Sequence, residues 1–501
     1  MTDLLCGLDL GTTGVRALAV TPEGAVVAEA SASYPVLAPR PGWTEQRPED
    51  WLEASQSVLS RVAREAAGEI VALGLTGQMH GSVFLDGSDA PLRPALLWND
   101  QRTHRQCELM TERVGAQRLL DITGNRALTG FQAPKILWLR DEEPDAYRQV
   151  SSVLLPKDYL RLWLTGERLT DASDASGTLL LDLAARDWSA EVLERLELPE
   201  DWFPEVLEGP HAAGRVRPDV ARSLGLREGI PVAAGGGDNA AAAVGTGIVR
   251  EGLASSSIGT SGVLFAHTDA ARPDPSGRLH AFCHAVPDRY HLMGVTLAAG
   301  GSFGWWSGVL AETGAELDFD RLTELAGEAP AGAEGLLFLP YLFGERTPHL
   351  DPFARGSFFG LTGRHGLRHL TRAVMEGVVL SLRDCLDLMI ARGVRVSELR
   401  VTGGGSRHPL WRRLQADAYG VPVRRPVADQ GPAYGAALLA GVAGGVFADV
   451  EDATRVVAAE PDELAPDPAA SALYETSLEL YRSLYPATHE TMRRLADLGG
   501  A

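Results

Sequence analysis

Several short segments of the chain combine residue types that handle anions and protons. Gly11-Thr12-Thr13-Gly14 and Gly259-Thr260-Ser261-Gly262 each place two hydroxyl residues between glycines, flanked by strand-forming runs. Such a hairpin offers backbone N–H groups in a concavity, the hydroxyls add donors, and glycine allows close approach of a phosphate oxygen. One tetrapeptide of this kind is an ordinary tight turn, but its repetition suggests a pair of anion cradles. Asp9 precedes the first hairpin, whereas Ser257 and Ile258 hold the matching places in the second. A carboxylate beside a phosphate cradle is placed to hold Mg²⁺, largely through water; capping the turn is its plainer role.

Asp238-Asn239 follows Gly235-Gly236-Gly237 and precedes an alanine-rich helical run. As a general base, Asp238 would take the proton of an attacking hydroxyl while Asn239 bonds neighbouring hydroxyls; a helix N-cap is the structural alternative. Met79-His80 ends the apolar run from Ile70, the end of a strand where α/β proteins place ligand contacts. Gly403-Gly404-Gly405, between a strand and a helix, would let a flat nucleotide base lie on backbone, or would serve only as a loop. His280 and His284 have metal-ligand spacing, yet Phe282-Cys283 and Val286-Pro287 around them read as strand and turn, which predicts core histidines. The chain has neither a Gly-x-Gly-x-x-Gly nor a Gly-x-x-x-x-Gly-Lys-Ser/Thr motif, which disfavours Rossmann-type and Walker-type nucleotide binding.

The elements that must position these residues follow from patterning. Strands are predicted over Leu4–Leu10, Val15–Val20 and onward from Ala25, then a helix from Pro48 to Ala66 and a buried strand from Ile70 to Leu75. Helical patterns are expected to dominate from Arg113 to about Arg227, followed by a strand from Ile230 to Ala234. Near Gly245–Gly252 the pattern of the opening returns: strands at Leu253–Ile258 and Val263–Ala266, a long helix through Leu370 and Leu388, a strand at Leu399–Thr402, and a helix opening at Pro409. A last helix is expected after Pro486. The repeat predicts an α/β fold of two similar domains, residues 1–246 and 247–501, with the site in a cleft between them.

Composition narrows the function classes. The 501 residues are 45% hydrophobic and 22% charged, enough for a large core, and the net charge of −20 disfavours nucleic acid and anionic membrane as partners. Four cysteines without a Cys-x-x-Cys pair suggest a reducing compartment. The start lacks a basic leader segment and no apolar run reaches about 18 residues, so a cytoplasmic protein is expected.

Together these segments resemble the FGGY family of carbohydrate kinases, whose fold is that of actin, Hsp70 and the sugar kinases: two duplicated ribonuclease H-like domains around an interdomain cleft. The resemblance covers essentially the whole chain. Gly7–Gly14 is similar to the first phosphate motif, Ile258–Gly262 to the second, and Val401–Gly405 to the adenosine motif; Gly356–Leu361 with His369-Leu370 and Ala373–Glu376 is similar to the C-terminal signature. Gly77–Gly81, Leu97–Asp100, Leu154–Tyr159, Gly235–Ala240 and Gly344–Pro348 resemble the members that act on D-xylulose. Arg16 stands where many members have lysine, Gln132 where the N-terminal signature has proline, serine or threonine, and His408 where asparagine or serine often follows the adenosine glycines.

The resemblance implies a sugar pocket of Met79, His80, Asp238 and Asn239, with Asp238 as base. It also implies an ATP site of Gly11, Thr12, Thr13, Arg16, Gly259, Thr260, Ser261, Gly403, Gly404 and Gly405, with Asp9 on the Mg²⁺ side. The implied reaction is transfer of the ATP γ-phosphoryl to the C5 hydroxyl of D-xylulose in pentose catabolism, in a chain that could pair as a homodimer. The alternatives are a related kinase for ribulose, ribitol or gluconate, and a nucleotide switch of the same superfamily.

Overall fold

The computed structural model describes residues 2–314, 317–427, 430–460 and 462–498. A first mixed sheet contains β1 (Asp3–Leu10), β2 (Gly14–Val20), β3 (Val26–Ser33), β4 (Glu69–Gly77), β5 (Ala212–Arg215), β6 (Pro231–Ala233) and the two-residue β7 (Gly236–Gly237). Its order is β5-β6-β4-β1-β2-β3, with β7 also pairing with β4. β1, β2 and β3 form an antiparallel meander, and β4 runs parallel to β1. β1 is almost continuously apolar because both of its faces are covered; Leu4, Leu5, Cys6, Leu8 and Leu10 are all buried. Helix α1 (Pro48–Glu65) starts with proline and has Glu49 and Asp50 in its first turn, burying Trp51, Val58, Leu59 and Val62. Helix α2 (Asp238–Gly245) follows β7 directly.

The second sheet repeats the plan with β8 (Gly252–Ile258), β9 (Gly262–Thr268), β10 (His280–Cys283), β11 (Tyr290–Thr296), β12 (Val396–Gly403) and β13 (Val423–Arg424), in the order β10-β11-β9-β8-β12-β13. β8, β9 and β11 form the antiparallel part, while β12 runs parallel to β8 as β4 does to β1. Helices α3 (Gly300–Ala311) and α4 (Leu367–Ala391) pack in this half. The expected duplication therefore extends from the hairpins to the topology of the sheets.

Helix α5 (Gly431–Ala443) comes after the second sheet in sequence but lies on the first. Gly7 and Gly74 are opposite each other on β1 and β4. A Cβ on Gly7 would overlap the carbonyl oxygen of Ala433, and one on Gly74 that of Ala436. On its other side α5 crosses α2, where a Cβ on Gly435 would overlap the carbonyl oxygen of Ala241. Residues Ala433 to Gly441 are all buried, as expected for a helix enclosed on every side.

Two expectations about secondary structure need correction. The stretch from Arg113 to Arg227 contains six strands of two to four residues besides its helices. Strands so short carry too little alternation to register in a sequence pattern. The last helix, α6 (Pro468–Leu498), begins well before Pro486, which lies inside it; a proline that usually opens a helix here interrupts one. Among the described residues no helix is long and apolar enough to cross a membrane.

His280 and His284 are core histidines of the second sheet. His284 Nδ1 accepts from Val286 N–H at 3.1 Å and Nε2–H donates to the Ile248 carbonyl at 3.0 Å, so both ring nitrogens serve backbone. Nearby His291 stacks on Phe265 with ring centroids 4.3 Å apart, and burial pushes its pKa down to about 3.

Two predictions follow from this packing. Gly435→Ala should cost about 2 kcal/mol or more by overpacking, whereas Gly308→Ala, on the exposed side of α3 with nothing within 4 Å, should gain about 0.5–1 kcal/mol; denaturant midpoints separate the two. The unfolded chain protonates His291 near pH 6.5 and the folded chain does not, so this group's contribution to stability is full above that pH and falls away below it. His291→Phe should therefore regain about 2 kcal/mol at pH 5 relative to pH 8, read as unfolding free energy at the two pH values.

Candidate active site

Pairing of β4 with β7 assembles one wall of the cleft. Thr76 and Gly77 lie beside Gly236 and Gly237, which brings Met79-His80 next to Asp238-Asn239. Contact replaces side chains with glycine here: a Cβ on Gly237 would stand 2.9 Å from Met79 Cγ, and one on Gly177 would stand 2.6 Å from His80 Nδ1. His80 adopts a left-handed backbone (φ 68°), a conformation that costs a non-glycine residue about 1 kcal/mol or more and persists only where neighbours enforce it. The enforcing groups are Lys135, whose ammonium donates to the carbonyls of His80 (2.8 Å) and Gly130, and Gln132, whose amide donates to the Gly81 carbonyl at 2.9 Å. His80 Nδ1–H donates to the Gly177 carbonyl at 2.6 Å. Burial pushes the His80 pKa down to about 3, so the ring is neutral and Nε2 keeps a lone pair for a hydroxyl donor. Phe131 and Phe282 flank it, with centroids at 4.7 and 6.0 Å.

Asp238 is the first residue of α2, and its Oδ1 accepts from Asn239 N–H (2.7 Å) and from the Asn239 side-chain amide (2.8 Å). Burial raises its pKa to about 6, offset in part by those two bonds. Behind it lies a relay that fixes its backbone. Gly237 N–H donates to Ser173 Oγ (3.1 Å), the Ser173 hydroxyl donates to Asp171 (2.5 Å), and Asp171 pairs with Lys157 at 2.8 Å. Lys157 also pairs with Asp158 (2.6 Å) and Asp174 (3.3 Å), and Arg161 joins Asp158 to the carbonyls of Ala233 and Ala234 at the end of β6. All five charged groups are buried.

The two hairpins have the same hydrogen-bond logic. In the first, the Gly11 carbonyl accepts from the Tyr34 hydroxyl (2.5 Å), the Thr12 carbonyl from Gln46 (2.6 Å) and the Thr13 carbonyl from Tyr34 N–H (3.3 Å). In the second, Gly259 and Thr260 carbonyls accept from Gly300, Ala299 and Gly301 N–H groups at the start of α3. The carbonyls are thus occupied by protein, while the N–H groups of Thr12, Thr13, Thr260 and Ser261 meet no acceptor among the described residues. That polarity suits an anion. The loops differ in length: Leu10 pairs with Val15, but Ile258 pairs with Gly262. Trp98, part of the Leu97–Asp100 segment, donates its indole N–H to Thr12 Oγ1 at 2.9 Å.

Asp9 sits at the end of β1, opposite Arg16 on β2 and Thr76 on β4. Its Oδ1 is buried with no hydrogen-bond partner; burial and the negative Asp238 push its pKa up to about 7 against the pull of Arg16. Arg16 itself donates to the carbonyl and side chain of Gln430 (3.0 and 2.7 Å) and to Glu29 (2.6 Å). The structure thus places Arg16 beside the cradle with its guanidinium turned to Gln430. Gly403 and Gly405 are required by the close approach of Ile258, whose carbonyl oxygen and Cβ would lie 2.8 and 2.6 Å from added Cβ atoms; Gly404 is exposed. His408 caps the next helix by accepting from Leu410 N–H at 3.1 Å.

The neighbouring strand ends therefore bring together a neutral acceptor, a carboxylate with a near-neutral pKa and an unpartnered carboxylate oxygen, and two hairpins have N–H groups that suit an anion, equipment that fits phosphoryl transfer to a hydroxyl. The chain belongs to the FGGY family of carbohydrate kinases: the family's N-terminal domain matches residues 4–245 and its C-terminal domain residues 254–444. It is 43% identical to the xylulose kinase of Escherichia coli over 96% of this chain and 98% of that one. Its fold matches a ligand-bound xylulose kinase from Lactobacillus acidophilus (27% identity, TM-score 0.93, 98% of this chain and 100% of that one). A gluconate kinase from the same organism fits almost as well (27%, TM-score 0.92, 97% and 98%), so backbone shape alone does not separate the sugars.

Lys157, Asp171, Ser173 and Lys135 are supporting residues that sequence reasoning did not assign. Their signal was present as charges in apolar surroundings, such as Lys157-Asp158 between Leu155-Pro156 and Tyr159-Leu160. Lys157→Met should leave three buried acids without their shared cation and cost about 3–5 kcal/mol, measured by chemical denaturation.

Proposed function

We propose that the protein transfers the γ-phosphoryl group of ATP to the C5 hydroxyl of D-xylulose, giving D-xylulose 5-phosphate and ADP, with Asp238 as general base. The observation that carries this reading is the convergence of Asp238 and neutral His80 at adjacent strand ends, in a chain with two hairpins whose N–H groups meet no acceptor among the described residues. Sequence identity to a xylulose kinase over nearly the whole chain supports the choice of sugar. Four buried, unpaired cysteines suit a reducing cytoplasm.

In this reading His80 Nε2 accepts from one sugar hydroxyl and the Asn239 amide oxygen from another. These contacts hold C5–OH against Asp238, which takes its proton as the oxygen attacks phosphorus. The N–H groups of Thr12, Thr13, Thr260 and Ser261 hold phosphate oxygens, and the adenosine lies toward exposed Gly404. The unpartnered buried oxygen of Asp9 fits a hydrated Mg²⁺, an oxygen-seeking ion that needs few protein ligands. Bound there with the nucleotide, it would neutralise phosphate charge. Burial lifts the Asp238 carboxyl to about 6, which keeps the base at a pKa near its working pH.

Purified protein with MgATP should release ADP rapidly with D-xylulose and far more slowly with L-ribulose, ribitol, glycerol or gluconate. Asp238→Ala should lower kcat by about a thousandfold or more while ATP affinity changes little; a mutant with unimpaired kcat would remove Asp238 as base. Because Asp238 must be ionised to accept the proton, kcat/KM should hold above pH 6 and fall about tenfold per pH unit below it, an acid limb visible in a pH–rate profile.

A further inference from the structure

The segment Gly344–Pro348 reaches the cleft from the second half of the chain, pinned to β11. Thr347 N–H donates to the Val295 carbonyl (3.0 Å), Val295 N–H donates to Thr347 Oγ1 (3.2 Å), and that hydroxyl donates to the Arg278 carbonyl at 2.8 Å. Glu345 points inward, 2% exposed, accepting from Leu297 N–H (3.0 Å), Arg346 N–H (2.7 Å) and the Ser381 hydroxyl (3.4 Å). Burial pushes its carboxyl up to about 8 against the pull of its three donors and of Arg346.

Arg346 is left as a half-buried cation. Its guanidinium makes no hydrogen bond or ion pair with any described residue, whereas Arg102, Arg161 and Arg372, also buried, all pair with carboxylates. Its guanidinium nitrogens are not sealed from solvent, so their donors are free to take up the acceptors of a ligand. Its location within the cleft can be read from its neighbours. β11 pairs with β10, which carries His280 and Phe282, and Phe282 lies against His80. Thr347, the next residue, is bonded to the Arg278 carbonyl two residues before His280, and the charge of Arg346 is felt at both His280 and His80. Arg346 therefore lies on the His80 and His280 side of the site, on a segment anchored beside the start of β9.

We propose that Arg346 is a sugar-contacting specificity residue contributed by the second half of the chain, its guanidinium donating to the ketone oxygen and neighbouring hydroxyl of the ketose beside His80. This rests on the ketose-kinase reading above and deepens it. Guanidinium has donors and no acceptor, so it satisfies an acceptor-only ketone oxygen in full, whereas the hydroxyl of the corresponding polyol brings an O–H that guanidinium cannot accept; the pairing therefore favours a ketose. The sugar pocket is then complete only with residues from both halves: His80 and Asp238 from the first, Arg346 from the second.

The test compares the wild-type full-length protein with Arg346→Gln and Arg346→Lys on D-xylulose and on the pentitols xylitol and D-arabitol, with melting temperatures as a folding control. For Arg346→Gln, the KM for D-xylulose should rise about 30-fold or more, the KM for ATP should stay within about threefold, and the preference for ketose over pentitol should shrink at least about tenfold; Arg346→Lys should fall between. An unchanged sugar KM and preference, or an equal rise in the KM for ATP, would overturn the assignment. If Arg346→Gln does not fold, Arg346→Lys decides by the same ratio of the two KM values. A wild-type protein inactive on every ketose would instead overturn the parent reading and this inference with it, an outcome separable from a mutant that behaves like an active wild type.

Discussion

The structure depends on backbone-to-backbone contact between helix α5 and the first sheet. Where Gly7 and Gly74 lie opposite each other, the strands present no side chains, and the helix descends until its carbonyl oxygens rest against them. Gly435 permits the same approach to α2 on the other side. The functional groups cluster around this contact. Asp9 is two residues beyond Gly7 on β1, Asp238 opens α2, and Gln430, immediately before α5, is bonded to Arg16. An interface made of backbone has no rotamers through which to adjust, so the two carboxylates are set by the chain path itself. The halves also cannot be regarded as separable modules, since the first sheet is completed by a helix that follows the second.

Electrostatics explain why so many supporting residues are buried and paired. The chain has a net charge of −20, which repels a nucleotide triphosphate at long range, so attraction must arise locally. In the proposed reading the unpaired N–H groups of the hairpins supply it without adding a side-chain cation. Within the cleft, burial lifts the pKa values of Asp9 and Asp238 toward neutrality and removes the charge of His80, so small changes in the surroundings of each group alter what it can do chemically. The Lys157 cluster and Lys135 hold this arrangement from behind by fixing carbonyls and backbone N–H groups.

Much of the site is legible in the linear sequence because its parts are local. The two hairpins, Asp238-Asn239 and Met79-His80 each lie at a strand end marked by glycine, and the strands around them follow from apolar patterning. What sequence reading misses depends on long-range contact. Nothing near residue 431 indicates that α5 crosses to the first sheet, and nothing near Arg346 indicates that it approaches His80. The glycines at 403–405 were legible as a motif, but Ile258, about 150 residues away, is the reason that two of them lack side chains. The short strands between residues 152 and 215 escaped because two to four residues cannot display a period.

The unequal hairpins have a further consequence. A duplicated fold with two equivalent cradles would receive a chain of phosphates in either direction, and half of all encounters would present the wrong end to the sugar. Here the first loop is longer, a single acid stands at its root, and the second hairpin is braced by the start of α3. In the proposed reading the broken symmetry gives the site a polarity, so that the order of the phosphates along the nucleotide is matched to only one orientation of entry.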